Sequence, residues 1–87
     1  MKEKNHISIV FVINGVATAV EANINEPLKA ARNKALGQSN NTGRPMDEWQ
    51  VHTEDGALLD ADKKIEALGL EDGVRLLLSL TVGAGGC

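Results

Sequence analysis

At 87 residues the chain has room for one small domain and one modest core. Hydrophobic residues at 43% against 24% charged residues give the balance of a soluble globular protein. A formal net charge of -3 with a pI near 5.2 argues against a nucleic-acid partner, because phosphate binding needs a basic face.

Aromatic residues make up 2% of the chain, Phe11 and Trp49, so the core must be aliphatic and no platform for stacking bases is available. The only cysteine is Cys87, which excludes an internal disulfide and a cysteine-built zinc site. No apolar run is long enough to span a bilayer, and the charged start Met1 to Asn5 has no signal-type segment behind it. The expectation is a cytoplasmic protein with no membrane partner. Asn40-Asn41-Thr42 fits a glycosylation sequon, which in a cytoplasmic chain is a chance match. Cys87 lacks the three following residues that prenylation requires.

From His6 to Ile13 the residues alternate. Ile7, Ile9, Phe11 and Ile13 share one face, and Ser8, Val10 and Val12 share the other. Asn14-Gly15 then predicts a two-residue hairpin turn. That turn pairs Ile13 with Val16, Phe11 with Thr18, Ile9 with Val20 and Ile7 with Ala22. Opposed residues share a face, so the register collects mostly apolar residues on one side.

Asn25-Glu26-Pro27 reads as a helix start, with Asn25 able to cap and Pro27 suited to the first turn. Leu28, Ala31, Ala35 and Leu36 follow at helical spacing on one face, and Gly37 is the expected terminator. Residues 38–45 are polar and read as a surface loop. Glu48 to Thr53 alternates again, with Trp49 and Val51 inward. Asp55-Gly56 makes a second turn, and Ala57-Leu58-Leu59 a short return strand. Asp60 or Asp62 is placed to cap a brief helical turn holding Ile65 and Leu68, ended by Gly69. Glu71-Asp72-Gly73 is a third turn. The last strand carries Val74, Leu76, Leu78, Leu80 and Val82 on one face and Arg75, Leu77, Ser79 and Thr81 on the other.

Gly83-Ala84-Gly85-Gly86-Cys87 follows that strand with no charge and nothing bulky before the cysteine. Glycine has no side chain to pack and loses the most backbone entropy on ordering. Such a pair suits a narrow channel where any Cβ would collide.

The order strand, strand, helix, strand, short strand, short helix, strand, leading into Gly85-Gly86, resembles the ubiquitin-like β-grasp family. The elements carrying the resemblance are the opening hairpin, the helix after it, the segment from Leu58 to Leu70, and the leucine-rich last strand. The chain looks most like the bacterial ubiquitin-like proteins of conjugation operons. The implied fold is α+β: a mixed sheet of four to five strands, the first and last central and parallel, with one main helix on one face. Residues 1–82 would be the domain and residues 83–87 a flexible Gly-Gly tail with a one-residue extension. Ubiquitin-type tails carry arginines before the glycines. The matching stretch here is Thr81-Val82-Gly83-Ala84, so a cognate enzyme would have to read an uncharged tail.

The resemblance implies a precursor of a protein modifier. A peptidase would cut between Gly86 and Cys87, and an activating enzyme would adenylate the Gly86 carboxylate with ATP. Conjugation would then proceed through Gly85-Gly86 to amines on target proteins by way of a conjugating enzyme. The peptidase would also reverse it. The chain itself would be no enzyme and need no cofactor, because it has no Ser/His/Asp or Cys/His set, and His6 and His52 stand alone. Other readings of Cys87 are a chance exposed thiol, or a thiol attacking the preceding carbonyl, which the amide equilibrium disfavours. Val10, Val12 and Leu77 fall opposite the predicted core on neighbouring strands. The bland reading is scattered surface aliphatics; the resemblance implies a docking face for partner enzymes. Two further function classes fit the fold: a sulfur carrier ending in a thiocarboxylate, and a non-covalent binding module. Sulfur carriers usually end bare at Gly-Gly, so the masking Cys87 favours the modifier.

Overall fold

The computed structural model describes residues 5–41, 43 and 45–80. Five strands form one sheet: β1 (His6–Ile13), β2 (Val16–Asn23), β3 (Trp49–Thr53), β4 (Leu58–Leu59) and β5 (Val74–Leu80), in the order β2-β1-β5-β3-β4. One helix, α1 (Leu28–Gln38), packs on one face, and 3-10 turns occupy Met46–Glu48 and Ile65–Leu68. β1 and β5 are central and parallel. This is the β-grasp arrangement expected from the sequence.

Asn14 and Gly15 both take positive φ, 53° and 82°, the conformation a type I′ turn demands. The turn sets the register, and each pairing expected for the hairpin is present. The alternation then does its work. Ile9, Phe11 and Ile13 are fully buried beside Val20 and Ala22. Leu28, Ala31, Ala35 and Leu36 of α1 close over them, with Val51, Trp49, Leu76 and Leu78 from the other strands. Fully burying each large side chain contributes about 1.5–3 kcal/mol before conformational entropy is set against it.

Three local expectations are corrected. Asn25 does not cap α1: the cap is Pro27, with no side-chain bond. The first helical N–H groups find tertiary partners instead, Leu28 on the Lys63 carbonyl and Lys29 on the Ala61 carbonyl, each at 2.9 Å. Neither Asp60 nor Asp62 caps the turn at Ile65, for the same reason. Ile65 and Glu66 donate to the Glu26 and Ile24 carbonyls at 3.0 Å, while Asp60 Oδ1 accepts from the Asp62 N–H in a turn of its own. Gly37 does not end the helix, which runs on to Gln38, one residue into the expected loop. The terminator is Asn40 at φ 63°, with Asn41 N–H on the Leu36 carbonyl at 2.9 Å and Asn40 N–H on the Gly37 carbonyl at 3.3 Å. That is a Schellman ending built on asparagine, the residue that tolerates left-handed backbone best after glycine. Gly69, at φ 69°, ends the second 3-10 turn as expected.

Candidate functional site

The sheet has a helix on one face only, and the other face carries the candidate docking residues. β1 and β5 run side by side with Val12 opposite Leu77 and Val10 opposite Arg75. Val10, Val12 and Leu77 are all half-buried, so the sequence-derived patch is one surface. It is also wider than the sequence indicated. Ala17 of β2 lies opposite Val12, His52 of β3 opposite Leu77, and Leu58 of β4 opposite His52. A single row, Ala17–Val12–Leu77–His52–Leu58, therefore crosses all the strands. Leu58 is 60% exposed, one of two large hydrophobic side chains left so open among the described residues.

Charge is confined to the margin of this row. Arg75 Nε stands 3.8 Å from Glu54 Oε2, both exposed, an ion pair worth little in stability. His52 Nδ1 lies 3.4 Å from Ser79 Oγ. Thr53 and Asp55 hydrogen-bond side chain to side chain at the end of β3. That hydroxyl and the Asp55 backbone N–H hold the Asp55 carboxyl below its ordinary pKa.

The sequence missed Leu58 and His52 as part of the face. The signal was present: closing the Asp55-Gly56 turn with Thr53 N–H on the Ala57 carbonyl, at 2.9 Å, places Leu58 opposite His52. It also missed Arg32, which is 5% exposed among the helix's buried residues. Its Nη1 donates to the Trp49 carbonyl at 3.2 Å and its Nε to Asn33 Oδ1 at 3.0 Å. Burial lowers the Arg32 pKa from its ordinary value, and the charges of Asp47 and Asp62 oppose the shift. Arginine keeps its charge under such a shift. An open groove of about 730 Å³ lies beside it, between α1 and the stretch from Leu58 to Asp62.

Leu80, the last described residue of β5, pairs with Trp49. Gly85, Gly86 and Cys87, the residues expected for conjugation and processing, lie outside the described residues, as do Thr81 and Val82. Among the described residues no helix is long and apolar enough to cross a membrane. No group of three His, Cys, Asp or Glu side chains gathers there to hold a metal ion.

A family described as "Protein of Unknown function (DUF2604)" matches residues 2–86. A relative in Sinorhizobium fredii, the "Uncharacterized protein y4jI", is 46% identical over 80 residues, 92% of this chain. The chain spans 62% of that relative's length. Among solved structures, a protein designed de novo on the basis of ubiquitin aligns with a TM-score of 0.77 at 19% identity, over 98% of this chain and 100% of its own. The ubiquitin of Caldiarchaeum subterraneum aligns at 0.70 with 26% identity, over 91% of this chain and 99% of its own. The fold is ubiquitin-like.

Proposed function

Given that the chain belongs to the DUF2604 family, we propose that it is a ubiquitin-like protein modifier. In this reading it is made as a precursor, cut between Gly86 and Cys87, and joined through the Gly86 carboxylate to amines on target proteins. The observation that carries the reading is the path of β5. That strand is held in the middle of the sheet, bonded to β1 on one side and β3 on the other. Its sequence then continues through small, uncharged residues to Gly85-Gly86. In sequence, the Gly-Gly segment thus follows a strand that is bonded on both sides.

The chemistry falls to partners. A carboxylate is a poor electrophile at neutral pH. An activating enzyme lets the Gly86 carboxylate attack ATP, releasing pyrophosphate and leaving an acyl-adenylate. A thiol or hydroxyl nucleophile of an enzyme displaces AMP, and a target amine displaces that nucleophile. The protein supplies the acyl group and the surface by which the enzymes hold it. The row through Val12 and Leu77 is that surface.

The test is reconstitution with a cognate adenylating enzyme and ATP. Chain ending at Gly86 should form a thioester or ester on the enzyme, and full-length chain should do so only after a peptidase removes Cys87. Lysine-linked remnants of the tail should appear on target peptides by mass spectrometry. A terminal gain of sulfur in place of oxygen would instead identify a sulfur carrier. Neither product would leave a non-covalent module.

A further inference from the structure

We propose that the free edge of β2 pairs with the same edge of a second copy of this chain, antiparallel and centred on Thr18. The hairpin register fixes which groups are available. Ile13 and Val16 close the two-residue turn as a hydrogen-bonded pair, so Thr18, Val20 and Ala22 also point their N–H and C=O groups at β1. Ala17, Ala19, Glu21 and Asn23 therefore point theirs away from the sheet. Two bonds agree with this phase. The Glu21 carbonyl accepts from Lys34 Nζ at 2.9 Å, and the Asn23 carbonyl accepts from the Glu26 N–H at 3.0 Å.

At the Glu21–Asn23 end the outward carbonyls are thus taken, while at Ala17 and Ala19 no described residue supplies a partner to either group. Nor is the edge blunted there. The stretch Val16–Val20 reads VATAV, with no charge and no proline, the usual protections of an exposed edge. The other margin of the sheet is treated differently. β4 is two residues long, the Trp49 carbonyl is taken by Arg32, and the Trp49 N–H bonds the Met46 carbonyl.

Two copies are complementary in one register. Centred on Thr18, Ala17 of each copy faces Ala19 of the other, and both pairs exchange N–H and C=O bonds, using both outward groups of Ala17 and of Ala19. Centring on Ala19 would set Ala17 against Glu21, whose carbonyl Lys34 already holds. Centring on Ala17 would leave Ala19 against the turn residue Gly15. The Thr18 register also sets Val16 of one copy opposite Val20 of the other. Val16 is 61% exposed although its hairpin partner Ile13 is fully buried. A β-branched cross-strand pair would cover it. Glu21 meets Gly15, so no like charges are opposed. The outer faces of the two copies would join side by side through Ala17 and Ala19.

The contact is small and belongs to the weak, transient class, with a dissociation constant on the order of 0.1–1 mM. Full-length protein, kept reduced so that Cys87 cannot cross-link, is examined by sedimentation equilibrium up to about 1 mM. A monomer–dimer equilibrium is expected. Amide shifts should be confined to residues 16–21, and a mixed-label sample should show a Thr18–Thr18 Hα contact between copies. Ala19→Pro removes an N–H that β1 does not use, so it should abolish the dimer and keep the fold. Val16→Lys gives a second variant if the proline disturbs the hairpin. A wild type that stays monomeric throughout overturns the proposal, as does a dimer unaffected by both variants. The outcome does not depend on conjugation.

Discussion

Leu76 and Leu77 are adjacent in sequence and face opposite sides of β5, which makes them a sharp test of the face assignment. Leu76 is 0% exposed and sits between Phe11 of β1 and Thr53 of β3. Leu76→Ala removes three carbons, about 2.4 kcal/mol of transfer free energy at about 0.8 kcal/mol each. The backbone cannot close the gap, because β5 is bonded on both sides. A residual cavity raises the cost to about 3–4 kcal/mol, inside the usual 2–5 for buried leucine. A domain of 87 residues has about 4–13 kcal/mol in total. Thermal unfolding should shift by at least about 12 °C. Leu77→Arg, by contrast, should stay within about 1 kcal/mol, since a long side chain on a half-buried outer position can reach water. Urea titration followed by circular dichroism measures both. If the two variants lose comparable stability, or Leu76→Ala loses under about 1 kcal/mol, the parity of β5 has been read wrongly.

Leu77→Arg should also weaken binding of an activating or conjugating enzyme, read by calorimetric titration; unchanged affinity would remove the outer row from the interface. The glycines separate by backbone angle rather than space, since an added Cβ meets nothing at either Gly15 or Gly37. Gly15→Ala, at φ 82°, should cost about 1–2 kcal/mol, while Gly37→Ala in ordinary helix should gain about 0.4–1, both by chemical denaturation. The Asp55 carboxyl has a depressed folded pKa, so its stabilising effect is present above the unfolded value and lost as pH falls through the folded one. Asp55→Asn should therefore flatten the stability profile below about pH 4, and an unchanged acid limb would refute the Thr53 contact. Gly86→Ala should impair both peptidase cleavage and adenylation without lowering the melting temperature; normal turnover of that variant would remove the narrow-channel argument.

What the sequence made legible was whatever one residue or one period decides. Asn14-Gly15 set the hairpin, and the hairpin set each pairing from Ile13–Val16 to Ile7–Ala22. The alternation in β5 placed Leu76 and Leu78 inward, and Trp49 and Val51 followed the same rule. The helix ends were not legible, because their partners come from elsewhere in the chain. Asn25 is a competent cap by type, but the carbonyls of Ala61 and Lys63 reach the helix first. Gly37 looks like a terminator until Leu36 is seen accepting from Asn41 across a left-handed Asn40. Arg32 stands one helical turn from both Leu28 and Leu36, on the buried face, and its role depends on where Trp49 begins β3. The outer-face row was legible on β1 and β5. Its extension to His52 and Leu58 required the β3–β4 register, which only a turn of known length provides.

The parity of β5 also explains how a chain this small could carry the proposed binding face without weakening its core. Inward positions Leu76 and Leu78 are 0% and 6% exposed and lie within the packed cluster. Outward positions Arg75, Leu77 and Ser79 touch only the open side of the sheet, so their identities are free of the packing constraint. A domain with one helix on one face has an uncovered face by construction, and hydrogen bonding along β5 makes that face rigid at no further entropic cost. The expectation that follows is a separation of effects. Substitutions at odd-numbered β5 positions should move partner affinity and leave unfolding unchanged, and those at Leu76 and Leu78 should do the reverse. A scan of 75–79 measured by both readouts should split by parity. A position that moves both together would mean that the two faces are coupled through the strand.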